Sequence, residues 1–181
     1  MKRILISALF LLLLIPSNNT FAQTKNAGPL IEGYGKVYQV ENPDVIVDVH
    51  KTFKVVFDVT SSSESMGELN LSLETAARFL NMHAQAGVPK DQLKVALVVH
   101  SKAAKDLLND TAYHARYQME NPNSNLVKVL MKADVQVILC GQSAGSRGFD
   151  RSEIMPGVQI SLSAMTALIQ LNGEGYTIVK L

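Results

Sequence analysis

The chain has 181 residues, and its 17 basic and 16 acidic side chains leave a formal charge of +1. Near-neutrality without a Lys/Arg block or basic stripe excludes a nucleic-acid-binding footprint. With 47% hydrophobic residues the chain can bury a sizeable core as one domain, and its single cysteine excludes an intramolecular disulfide.

Lys2 and Arg3 precede an apolar run, Ile4–Ile15, broken only by Ser7, and PSNNTFA then leads to the small residue Ala22. A positive start, a short apolar stretch and a small residue mark a secretory signal peptide over 1–22, with cleavage expected between Ala22 and Gln23. The run is well short of the roughly 20 apolar residues a spanning helix needs. No stable membrane anchoring is therefore expected after cleavage, and the expected location is periplasmic or secreted. Residues 23–50 read as an arm. Gln23–Gly35 is polar and Gly-rich, and KVYQV and VIVDV then flank ENPD, whose Pro43 and Asp44 permit a turn and a hairpin.

Residues 51–181 carry the main domain. FKVVFDV (Phe53–Val59), LKVALVV (Leu93–Val99) and VQVILC (Val135–Cys140) are β-branched runs without clear alternation, as suits strands buried on both faces. Between the first two, Leu73, Ala76, Ala77, Leu80 and Ala84 recur at helical spacing until Gly87 and Pro89 end the pattern. SKAAKDLL predicts a helix with Ser101 as cap, and NSNLVKVLMKA a further helix capped by Asn123 or Ser124. A short strand over Val158–Leu162 precedes the helix SAMTALIQLNG, capped by Ser163 and stopped at Gly173. YTIVKL then closes the chain as a strand. Strands alternating with helices imply right-handed βαβ units: one doubly wound, mostly parallel five-stranded α/β sheet with helices on both faces, flavodoxin-like in its three layers.

In such sheets ligands bind outside the carboxyl ends of the strands. That rule selects Asp58 and Thr60, His100 and Ser101, and Cys140 to Ser143, which end three different predicted strands. Gly141–Gly145 reads GQSAG and fits the G-x-S-x-G nucleophile elbow. The elbow fold requires its histidine after the serine, whereas His50, His83, His100 and His114 all precede Ser143. A serine hydrolase is therefore disfavoured, and Ser143 is expected to cap a helix. Cys140 is the stronger candidate nucleophile: at a strand end just before a helix, helix N–H groups favour its thiolate. Gly141 permits a sharp turn and close approach of a partner sulfur, Gln142 lies in the same turn, and Arg147 can add positive charge nearby. The alternative is a buried, inert cysteine. His100 is expected either as an acid, base or thiolate partner or as a histidine satisfied by backbone bonds; His83 and His114 are expected on the surface. The four histidines and one cysteine have no metal-ligand spacing, and no cofactor motif is present. Without C-x-x-C, a self-contained dithiol oxidoreductase is disfavoured.

FKVVFDV, LKVALVVHSKAAKDLL, VQVILCGQSAGSRGFD and the ending VQISLSAMTALIQLNGEGYTIVKL together resemble the DsrE/DsrF-like family, which includes the TusD-like sulfur-relay proteins. The resemblance covers roughly Lys51–Leu181. Cys140 stands where TusD-like members carry their sulfur-accepting cysteine, followed similarly by Arg147 and Gly148. The resemblance implies a sulfur carrier that holds sulfane sulfur as a persulfide on Cys140 and passes it to a partner thiol. It also implies a homo-oligomer, trimer or hexamer, served by sulfur donor and acceptor proteins, here as an exported member. The alternative is a non-catalytic oligomeric module that binds a ligand or protein around an inert Cys140.

Overall fold

The three apolar runs lie side by side as β1 (Phe53–Val59), β2 (Leu93–Val99) and β3 (Gln136–Cys140). The computed structural model, which describes residues 24–181, adds two edge strands, β4 (Gln159–Ser161) and β5 (Thr177–Lys180). The expected signal peptide and its cleavage point lie outside the described residues. The spatial order is β4-β3-β2-β1-β5, and every pairing is parallel. The sheet is thus a five-stranded, all-parallel α/β sheet.

Alternation along each central strand sorts the side chains between two faces. Val55, Phe57, Val59, Leu97, Val99, Val137 and Leu139 pack into the larger core beneath α1 (Leu71–Gln85) and α3 (Ser124–Lys132), with Tyr113 of α2 (Asp110–Tyr117). Val56, Ala96, Val98, Ile138 and Cys140 face the other way, against Ala164, Ala167 and Leu171 of α5 (Ala164–Gly173). One helix covers this second face where several cover the first, so it buries less. A six-residue helix, α4 (Gly141–Ser146), follows β3 directly.

Several local expectations are met by the bonds the structure contains. The Ser163 hydroxyl accepts from the Thr166 N–H at 3.0 Å and caps α5. α1 ends at Gln85, two residues before Gly87, whose φ of +91° is a turn conformation. Other expectations are corrected. SKAAKDLL is a 3₁₀ segment (Ser101–Leu107), not an α-helix, and Ser101 does not cap it. Ser101 instead adopts a left-handed φ of +54° and gives its hydroxyl to the His100 ring. Asn123 precedes α3 without capping it, because its side-chain oxygen accepts from the Asn70 N–H at 2.7 Å. His83 is half-buried rather than on the surface, with its ring 4.0 Å from Phe79 and 4.9 Å from Phe53, centroid to centroid.

The hairpin over 36–49 does not form. The arm makes one antiparallel bridge, Asn26 with Val37, and no strand. A hairpin in water is marginal on its own, and the arm has a better partner. Asn81, fully buried on α1, accepts from the Ile31 N–H at 2.8 Å and donates to the carbonyls of Ile31, Tyr34 and Gly35. Gly35 sits so close to α1 that a Cβ would lie 2.4 Å from the Ala77 carbonyl carbon, at a φ of +65°. One amide thus replaces a strand in satisfying the arm backbone.

Asn81→Ala leaves those buried groups unpaired and is expected to cost about 2–3 kcal/mol. Urea unfolding checks this, and limited proteolysis is expected to cut first within residues 24–50 of the variant.

Candidate functional site

β3 and β4 are neighbours, yet their carboxyl ends lead to opposite faces of the sheet. β3 runs into α4, whose Ala144 joins the larger core, whereas β4 runs into α5 on the smaller one. Divergence of adjacent connections opens a crevice at the strand ends, the place where open α/β sheets bind ligands. Cys140 is the last residue of β3, in register with Ser161 of β4, and it stands in that crevice.

Cys140 is 5% exposed. Burial pushes its thiol up, but hydrogen bonding from the Ser143 N–H and hydroxyl and from the Ala164 and Gln142 N–H groups favours the thiolate and draws the thiol down. Their combined effect is the larger, and the thiol lies below the ordinary cysteine range. The donors come from the starts of two helices, α4 and α5, that the crevice brings together. Gly141 has a different role from the one its sequence suggests. Its φ is not positive, and a Cβ there would lie 2.6 Å from the Ser161 carbonyl oxygen. The glycine lets the β3–α4 turn press against the end of β4, and this contact, not access for a partner sulfur, is what requires it.

A second set of side chains leads away from the thiol. Asp58 Oδ1 lies 2.8 Å from His100 Nε2, and His100 Nδ1 lies 3.0 Å from the Ser101 hydroxyl. A carboxylate only accepts, so Nε2 carries the ring proton and Nδ1 accepts from Ser101. The ring is satisfied by side chains, not by the backbone, and neither nitrogen contacts Cys140. The Ser101 N–H donates to the Ser143 hydroxyl oxygen at 3.0 Å. That bond occupies an acceptor lone pair of Ser143 and leaves its proton free to donate, and the same hydroxyl favours the Cys140 thiolate. Ser143 is therefore not a helix cap; it is the link between the His100 pair and Cys140.

Gln142 is exposed, and its side chain donates to the Leu162 carbonyl at 3.2 Å, tying α4 to the turn before α5. Thr60 contributes its carbonyl, which accepts from the Ala103 N–H at 3.3 Å, so its role is in the backbone. Arg147 is exposed and lines a cleft with Lys102, apart from the sulfur contacts. Among the described residues no group of three or more His, Cys, Asp or Glu side chains is placed to hold a metal ion.

Two contributions escaped the sequence reading. Ala164 supplies an N–H from the far side of the crevice, although the capping Ser163 and the preceding short strand already marked where α5 begins. Behind the 3₁₀ segment, the fully buried Asp106 carboxylate receives Ser62 Oγ at 3.0 Å, Asn70 Nδ2 at 2.7 Å and Lys105 Nζ at 2.6 Å. Asn121 bonds the carbonyls of Asp106 and Leu108. A buried charge persists only when paired and hydrogen-bonded. This cluster fixes the loop after β1 against the loop after β2, and with it Asp58, His100 and Ser101. The nearest sequence signal was an unusual density of Asn between the predicted elements.

Thiolate reactivity follows from this geometry. A depressed thiol stays ionised to lower pH, so alkylation by a small reagent should rise with pH through a midpoint below the ~8.5 of free cysteine. Ser143→Ala removes one donor, moves the midpoint upward and slows alkylation at pH 7 about three- to tenfold. Rate–pH profiles of the native protein and the variant check both statements.

The DsrE/DsrF-like family model matches residues 54–181, which includes all of the sheet but Phe53, together with Asp58, His100, Cys140 and Ser143. A search of curated proteins finds no significant match. Among solved structures, a protein of unknown function, MTH1491 from Methanobacterium thermoautotrophicum, is 18% identical with a TM-score of 0.54, covering 71% of this chain and 99% of its own. The ychN protein from E. coli is 21% identical with a TM-score of 0.51, again covering 71% of this chain and 99% of its own. At these identities the two structures speak to the fold alone, which they share with residues of the matched domain. The chain belongs to the DsrE/DsrF-like family.

Proposed function

We propose that the protein is a periplasmic sulfur carrier, exported by its N-terminal signal, with Cys140 as the carrying thiol in the manner of TusD-like members. Family membership suggests sulfur relay, and one observation carries the assignment to this residue: Cys140 closes β3 directly before α4 and pairs in register with Ser161, two residues before the cap of α5, so its thiol stands where two helices start. The N–H groups of helix starts stabilise an anion, whether thiolate or persulfide. The loading step is Cys140–S⁻ + R–S–SH → Cys140–S–SH + R–S⁻, in which the thiolate attacks the outer sulfur and the donor leaves as its thiolate. Unloading reverses it with an acceptor: R′–S⁻ + Cys140–S–SH → R′–S–SH + Cys140–S⁻. Both steps balance without an added oxidant or reductant. A persulfide places its outer sulfur about 2 Å beyond Sγ. Burial of Cys140 shields the inner atom.

The Asp58–His100–Ser101 set acts through Ser143 in this reading. It orients the hydroxyl that faces the sulfur, and it does not itself take part in the transfer.

The expected result is a mass gain of one sulfur atom when the protein is incubated with a sulfane donor and measured intact. Loss of that gain in Cys140→Ser, and its reversal by an acceptor thiol, complete the test. No gain, or an equal gain in Cys140→Ser, would overturn the carrier and leave a binding module with an inert thiol.

We also propose that the chain assembles with copies of itself, as a trimer or hexamer, through the thinly covered face of the sheet. Leu162 is 73% exposed and Met165 and Ile169 are each 72% exposed, and Ile178 of β5 adds to the same side. Contiguous exposed apolar surface of this kind marks an interface. Sedimentation is expected to give an oligomer that Ile169→Glu reduces to monomers; a monomeric native protein would overturn the assignment.

A further inference from the structure

Beside the crevice, the loop after β1, the 3₁₀ segment and the end of α4 enclose a cleft of roughly 380 Å³. Its charged lining is specific in pattern. Lys105 is already engaged, with its ammonium on Asp106. Lys102, Arg147 and Glu64 also line the cleft, and none has an ion-pair partner among the described residues. The cleft therefore presents two cations and one carboxylate, with Met66 and Tyr117 as apolar wall.

We propose that this cleft binds a low-molecular-mass thiol of peptide-like body carrying two carboxylates and one ammonium group. The carboxylates pair with Lys102 and Arg147, and the ammonium with Glu64. Unpaired charges at the edge of a concave, partly apolar site are the features that orient a small ligand. Arg147 follows directly on the six residues of α4, and Cys140 directly precedes them. Seven residues at 1.5 Å put about 10 Å of helix rise between the two backbones, so the cleft lies one short helix away from the thiol. A peptide-like ligand of three residues extends to about 10 Å, the scale of that separation. The role of the bound thiol as donor or leaving group in sulfur exchange rests on the carrier function proposed above; the binding itself does not.

S-methylglutathione has the stated charges, and its blocked sulfur cannot exchange, so it probes the cleft separately from the thiol. Calorimetric titration of the protein is expected to show saturable binding that weakens about three- to tenfold in Arg147→Ala and in Lys102→Ala and falls with added salt. Acetylating the ligand's amino group is expected to weaken binding to the native protein but not to Glu64→Gln. Absence of saturable binding at millimolar ligand, or binding indifferent to Arg147 and Lys102, overturns the proposal. Binding with no sulfur uptake by Cys140 supports the cleft and removes the carrier function. Sulfur uptake without S-methylglutathione binding does the reverse.

Discussion

Cys140 is held where two connections part. Because β3 and β4 are parallel neighbours, their carboxyl ends lie level, and because α4 and α5 leave toward opposite faces, both helices start beside the same sulfur. The thiolate is favoured by N–H groups of both helices, Gln142 and Ser143 of α4 and Ala164 of α5. The contact between Gly141 and the Ser161 carbonyl sets how closely the two strand ends approach, since a single methyl group would meet backbone at 2.6 Å. Everything proposed for the thiol depends on that approach, for donors act on a charge steeply with distance.

The opposing terms at the sulfur also explain why the site is built from backbone and hydroxyl groups. Burial disfavours the thiolate, and a nearby cation would offset it, but Arg147 points to the cleft instead. Main-chain N–H groups supply the compensation without a mobile charge. They are also pre-arranged, so little order is lost when the anion forms. The Ser143 hydroxyl is the one adjustable donor, and the Ser101 N–H fixes its direction. Ser101 reaches that position in a left-handed conformation, an unusual geometry for a residue with a side chain. Its hydroxyl bond to His100, and the bond of His100 to Asp58, oppose relaxation of that turn.

Behind this, the Asp106 cluster and the Asn81 amide have a common logic. Both are buried polar side chains that bond loop segments, Asp106 those of Ser62 and Asn70, and Asn81 the backbone of the arm. Each ties a segment with no secondary structure of its own to the frame, one beneath the site and one along α1. The cost of leaving such groups unpaired makes the loop geometry nearly as definite as that of the strands.

The three central strands, the helix after β1, the cap of α5 and the parallel class of the sheet were legible from residues alone. Apolar β-branched runs, 3.6-residue spacing and a capping serine are local signals that tertiary packing here reinforces. The position of Cys140 at a strand end was legible too, because a strand end before a glycine is a local property. The partners of that thiol were not. Ser143 as link rather than cap, Ala164 as donor, the placement of His100 on Asp58 and Ser101, and the replacement of a hairpin by Asn81 all depend on residues far apart in the chain. Short apolar pairs such as KVYQV and VIVDV describe what a segment can do, and a buried amide elsewhere decided otherwise. The sequence by itself determined the three central strands, the helices after β1 and β4, and the place of the one cysteine at a strand end, since propensity and burial pattern are carried by neighbours. Only the tertiary structure decided the environment of that thiol, since hydrogen bonds across a crevice are set by strand order and by which face each helix takes.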